Sequence, residues 1–181
     1  MGIRIRIEPD PRLIRELDQR IGRFGDQSLF NRIFSSAADR AVKAAETAAR
    51  RGITDTYTIK AGDVRPTMTT RRFRDGARLD ISDSARPLSH FKVKQPKAGP
   101  MTATVRKDGG GTIARAFRGQ GSLPSTRIFQ RTGTSRLPIE QLHGPGAANM
   151  VKDGDIIERV EERATEVMNN RLEHEMGRLL K

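Results

Sequence analysis

Hydrophobic and polar residues alternate strictly at the start of the chain. In residues 2–8, GIRIRIE, the three isoleucines Ile3, Ile5 and Ile7 fall on one face and Arg4 and Arg6 on the other, the period of a half-buried strand. Pro9 and Pro11 end it. The period then lengthens. Leu13, Ile14, Leu17 and Ile21 share one side of a predicted helix over 11–22, closed by Gly22 and Gly25. Asp26 is placed to cap a long helix over about 26–51, with Gly52 as its stop. Its stripe of Phe30, Ile33, Ala37, Ala41, Ala44 and Ala48 begins bulky and ends as alanine. Alanine keeps a helix surface flat, so another backbone can come close.

The middle of the chain returns to short alternating runs. Residues 55–76 carry at most one helical turn, before Pro66. Strands are predicted at 77–82 (ARLDIS) and 90–95 (HFKVKQ). Two more lie in 100–119, joined around Asp108–Gly111, and another covers 126–131. Together 77–132 reads as a small antiparallel sheet of about four strands, followed by a loop over 133–152. The last element is the clearest: Ile157, Val160, Ala164, Met168, Leu172, Met176 and Leu180 step by three or four, giving an amphipathic helix over about 154–180. Asp153 or Asp155 can cap it, and acids in its first turns suit the helix dipole. Its stripe is needed for the intrachain core more than for a neighbouring subunit, because large apolar residues are scarce elsewhere. The expectation is one α+β domain over 1–181: a small antiparallel sheet packed with a long Ala-rich helix in the N-terminal half and a long C-terminal helix.

Composition sharpens this. The chain has 181 residues, a net charge of +12 and only 35% hydrophobic residues, so its core is modest. It has no cysteine, which excludes disulfides and thiolate metal sites. No apolar run approaches the roughly 18 residues of a membrane span, and the N-terminus does not read as a signal peptide; Arg6 argues against myristoylation at Gly2. A chain made in a cytoplasm, with no membrane partner, is expected. The basic excess is central: residues 60–136 hold 17 Lys or Arg and five Asp or Glu, whereas 153–181 is mildly acidic. Such a field attracts nucleic acid and acidic protein surfaces alike.

Candidate chemistry is sparse. His90, His143 and His174 have no partner at metal-ligand spacing. The run DGGGT at 108–112 lacks the Lys-Ser/Thr of a phosphate-cradling loop and reads as a hairpin turn. No Gly-x-Ser-x-Gly elbow is present, and Asp80 and Asp83 read as solvated acids rather than a catalytic pair. No enzyme, metal or cofactor is expected. The run TTRRFRDGAR gathers Arg71, Arg72, Arg74 and Arg78 around Phe73. Guanidiniums can bridge phosphates and an aromatic can stack on a base. The same run also suits a flexible basic loop, or one docking on an acidic partner.

One block is more specific. In IFQRTGTSRLPIEQLHGPG, residues 128–146, a strand ends at Arg131, a turn follows around Gly133, and Pro138 and Pro145 bar a regular helix. Gly133 can take positive φ. Arg131 and Arg136 are expected to flank a turn near a sheet edge, with Leu137 and Ile139 buried to pin the loop. Pro138, without an N–H, blocks sheet extension.

With FNRIFSSAADRAVKAAETAARRGI at 30–53 and ARAFRG at 114–119 before this block, the chain resembles the prophage minor tail protein Z family, the tail completion proteins of lambda-like tailed phages. The likeness runs from about residue 30 onward; its most specific part is Phe129–Pro145, and Gly146 departs from the serine expected there. The resemblance implies a non-enzymatic virion protein that completes the head-proximal end of the tail and enables head–tail joining. Its implied location is the tail or neck of the virion, after assembly in the host cytoplasm. Its implied partners are a tail terminator or tail tube protein, a head–tail connector, and copies of itself in a ring, expected as a hexamer; the end of the packaged DNA is a further candidate. Arg71, Arg72, Arg74, Arg78, Arg115, Arg118, Arg131 and Arg136 are the candidate partner- or DNA-facing residues. Leu137, Pro138, Ile139, Gly144 and Pro145 are the candidate loop anchors. The alternative is a sequence-independent nucleic-acid-binding protein using the basic central region.

Overall fold

The structure, a computed structural model, describes residues 2–22, 27–73, 76–97 and 99–178. The expected cap Asp26, the stop Gly25, Arg74, Leu180 and Lys181 lie outside the described residues. The α+β class holds, with a long helix in the N-terminal half, a long C-terminal helix and small antiparallel sheets. The chain forms two compact units, each assembled from separate segments.

The helical unit comprises Gly2–Ala49, Met68–Ile81 and Lys152 onward. Strands β1 (Ile3–Ile7), β2 (Met68–Arg72) and β3 (Ala77–Ile81) form its antiparallel sheet, with β3 central. The β2 strand falls in the stretch that local pattern left without one: its Thr-Thr-Arg-Arg run is solvent-facing, so it has no apolar alternation to betray it. Ile5 pairs with Leu79 and Ile7 with Ala77, all buried on the inner face.

Helix α1 (Pro11–Gly22) starts as its sequence dictates. The Asp10 carboxylate accepts from Arg12 N–H at 2.8 Å, and Pro11 stands where a missing N–H costs nothing. Asp10 N–H in turn donates to Asn169 Oδ1 at 3.0 Å, tying this cap to the C-terminal helix. Helix α2 (Gln27–Thr56) does not stop at Gly52 but runs through it. Its buried set also differs from the expected stripe: Phe34, Ala38, Val42, Ala45 and Ala49 join Ile33, Ala37 and Ala41, while Phe30, Ala44 and Ala48 are only half-buried. A helix buried on so wide a face has no single stripe.

The remaining helices, α3 (Ala61–Val64), α4 (Ala147–Lys152) and α5 (Ile156–Arg178), complete the set. In α5 the stripe is as expected from Val160 to Met176, except that Ile156, not Ile157, opens it. Ile156 is four residues before Val160, so it lies on the same helix face.

The sheet unit comprises Arg50–Thr67 and Ser82–Val151. Its strands are β4 (Arg86–Pro87), β5 (Lys92–Lys94), β6 (Met101–Thr104), β7 (Gly111–Ile113), β8 (Ala116–Arg118), β9 (Ile128–Arg131), β10 (Ile139–Gln141) and β11 (His143–Gly144). They form not one sheet but three small antiparallel ones: β5-β6-β7, β10-β9-β8 and β11-β4. The expected loop over 133–152 instead holds β10, β11 and α4. The core collects Ile53, Tyr57, Leu88, Phe91, Met101, Ile128, Met150 and Val151. No helix among the described residues is long and apolar enough to cross a membrane.

Candidate functional site

Seven of the eight candidate arginines are among the described residues, and they divide between the two units. Arg71, Arg72 and Arg78 lie in the helical unit; Arg115, Arg118, Arg131 and Arg136 lie in the sheet unit. Arg74 lies outside the described residues.

On the outer face of β1-β3-β2, Arg78 stands opposite Arg6 on one side and Arg71 on the other. Strands are about 4.8 Å apart, and like charges directly opposed are destabilising. Asp80, one row along, relieves this. It sits 2.8 Å from Arg78 Nε and 3.3 Å from Arg71 Nε, while Arg6 pairs with Glu8 at 2.6 Å. Arg72, on the other face, pairs with Asp39 at 3.0 Å. Phe73 is 45% exposed, with the Arg78 guanidinium 5.1 Å from its ring centroid. The sequence pattern placed Arg4 and Arg6 on the open face of a strand; only the β1–β3 register joins them to this row. Much of the row's charge is thus answered by neighbours.

In the sheet unit the block from β9 to β10 forms a tied hairpin. Thr132 N–H and its hydroxyl both donate to the Pro138 carbonyl, each at 3.2 Å. Arg131 Nη1 donates to the Arg136 carbonyl at 2.8 Å, so these two arginines do flank the turn. The Arg131 guanidinium also lies 5.1 Å from the Phe117 ring centroid, a contact worth about 0.5–1 kcal/mol at an exposed site. Phe117 stands opposite Phe129 across β8 and β9. Arg118 Nη1 donates to the Ser125 carbonyl at 3.4 Å. Arg115 has φ 58° where the chain passes from β7 to β8.

The anchoring expectation needs correction. Leu137 is 66% exposed and Ile139 only half-buried. Leu137 lies within the loop that the two Thr132–Pro138 hydrogen bonds close, and it faces solvent. Nor is Gly133 in the left-handed region; the hydrogen bonds above shape the turn instead. Pro138 does sit beyond the paired residues, since the register starts at Ile139↔Arg131. The anchoring is done further along. A Cβ on Gly144 would collide with the ring of buried Phe91, and one on Gly146 would lie 2.6 Å from the Asp83 carbonyl oxygen. Close packing at Gly146 therefore leaves no room for a side chain. Pro145 is half-buried beside Tyr57.

Tyr57 has the clearest electrostatic setting. Burial raises its phenol pKa, Arg106 at 5.7 Å from the ring centroid lowers it, and Asp108 raises it. Asp108 is itself held below the ordinary carboxylate value, chiefly by the hydrogen bond from Arg106 at 3.1 Å. Among the described residues no three His, Asp or Glu side chains gather as a metal-holding group.

Comparisons of the chain with protein-family models, with curated proteins and with solved structures find no significant match.

Proposed function

We propose that the protein is a non-enzymatic assembly component: a tail completion protein acting at the head-proximal end of a phage tail and enabling head–tail joining. It would act as part of a ring, binding a tail terminator or tube protein and a head–tail connector. The observation that carries the reading is the β9–β10 hairpin tip. It is tied by three hydrogen bonds, yet it presents Leu137 to solvent between Arg136 and Pro138. Burying that leucine against a partner is worth about 1.5–3 kcal/mol. A pre-ordered tip also loses little conformational entropy on docking. The block's resemblance to the tail protein Z family points the same way.

The test is the light-scattering mass of the purified protein, alone and mixed with tails of the phage that encodes it, at low and high salt. A discrete ring, or stoichiometric attachment to tail ends that survives high salt, is expected. Leu137→Ser should weaken attachment roughly 10- to 150-fold while leaving thermal stability within about 0.5 kcal/mol, as for a surface substitution. A monomer that ignores tails at every salt concentration refutes the proposal.

A further inference from the structure

A second surface, in the sheet unit, draws on none of the hairpin contacts. The chain after α2 is hydrogen-bonded alongside the strand end that follows β6: Thr58 N–H donates to the Val105 carbonyl at 3.0 Å, and Lys107 N–H to the Thr56 carbonyl at 2.9 Å. The Thr58 hydroxyl accepts from Lys92 N–H at 3.0 Å. These bonds bring Lys60, Lys92 and Lys107 together, though they are far apart in sequence. They line an open groove of about 940 Å³, with Arg118 and Thr126 completing the wall.

The charge balance of this groove differs from that of the β1-β3-β2 face. Among the described residues its lining holds one carboxylate, Asp63, which lies 3.1 Å from His90 Nδ1. Lys60, Lys92 and Lys107 are exposed, and none has an acidic partner within ion-pair distance among the described residues. Four cations thus face a single carboxylate. On the sheet face, by contrast, Asp80 and Glu8 already answer Arg71, Arg78 and Arg6.

Lysine and arginine bind phosphate and carboxylate alike, so charge density decides between the two ligands. Duplex DNA carries one negative charge per about 1.7 Å of axis, against one per roughly 3.3 Å along an extended acidic segment, and a wall of four cations favours the denser line of charge.

We infer that this groove binds the phosphodiester backbone of nucleic acid, without regard to base sequence. Affinity should fall steeply with salt, because each phosphate neutralised releases counterion.

The experiment is fluorescence anisotropy of the full chain with a labelled random-sequence DNA duplex, across a salt series. Lys60→Gln, Lys92→Gln and Lys107→Gln are combined in one variant, and Arg4→Gln, Arg6→Gln and Arg71→Gln in a comparison variant. Far-UV circular dichroism checks that both fold. The lysine variant should flatten the log–log salt slope by about 2 to 3, at roughly 0.9 for each phosphate that is no longer neutralised; the comparison variant should change it by less than about 1. Unlabelled DNA should displace the probe, and polyglutamate at equal charge should not. Absence of binding at low salt, an unchanged slope in the lysine variant, or equal displacement by polyglutamate would each overturn the inference. The last outcome would point to an acidic protein segment instead.

Discussion

Gly146→Ala tests the close packing at the start of α4 most directly. Gly146 is buried there; its carbonyl accepts from Met150 N–H at 3.0 Å, and Ala148 N–H donates to the Ser82 carbonyl at 3.2 Å. An added Cβ would lie 2.6 Å from the Asp83 carbonyl oxygen and 2.8 Å from its carbonyl carbon. Both are backbone atoms, which cannot swing aside as a side-chain tip would. Overpacking of this kind costs typically about 1–3 kcal/mol. Against it stands the stiffening of the unfolded chain, about 0.4–1 kcal/mol in favour of alanine where its φ is allowed. The clash outweighs this, leaving a net loss of up to about 2.6 kcal/mol, or up to roughly 10 °C in Tm for a chain of this size. Gly146→Ser should fare little better, since serine at a helix start improves on glycine by only a few tenths of a kcal/mol. Gly133→Ala is the control: its Cβ would meet only Ser135 N at 4.0 Å, and its φ is not left-handed. The assay is thermal and urea unfolding followed by far-UV circular dichroism. A Tm for Gly146→Ala equal to or above wild type, with Gly133→Ala at or slightly above it, would refute the close-packing reading.

Other measurements probe separate regions of the molecule. Tyr57 is the sole tyrosine and there is no tryptophan, so phenolate absorbance reports it alone. Its pKa should exceed 10.0, rise further in Arg106→Gln and fall in Asp108→Asn. Because the folded value is raised, the associated stability is complete below about pH 10 and disappears as pH rises through the folded pKa. Ile156→Ala should destabilise by about 2–5 kcal/mol in urea unfolding, and Ile157→Ala by clearly less, since only Ile156 is in the core. Gly144→Ala should lower Tm by displacing Phe91, with a changed near-ultraviolet phenylalanine signal as its signature. Arg131→Ala should loosen the hairpin tip by about 1 kcal/mol or less and speed amide exchange at Thr132, because the tie to the Arg136 carbonyl and the Phe117 contact are exposed.

What the sequence determined by itself is whatever repeats at short range. Alternation in Ile3–Ile7 specified β1, and the four-residue step from Val160 to Met176 specified the buried face of α5. The spacing of Leu13, Ile14, Leu17 and Ile21 located α1. The α+β class followed from these periods alone; the turn between Arg131 and Arg136 was legible in the Thr-Gly-Thr-Ser run, though not through the Gly133 conformation expected of it. What the tertiary structure decided is everything that depends on which segments meet. The exposed β2 strand is specified by its pairing with β3, not by its own apolar content. Gly52 continues a helix because packing on a wide face outweighs glycine's roughly 1 kcal/mol helix penalty. Leu137 stays in solvent because a hydrogen-bonded loop holds it there, although its hydrophobicity argues for burial. The arginine-rich runs that stand out in the sequence become ion-paired once Asp39 and Asp80 arrive beside them. The lysines at 60, 92 and 107, scattered in the sequence, converge through two backbone hydrogen bonds and one from Lys92 N–H to the Thr58 hydroxyl. Charge is written locally, but whether a charge is answered or left open is a property of long-range contacts, which no local pattern encodes.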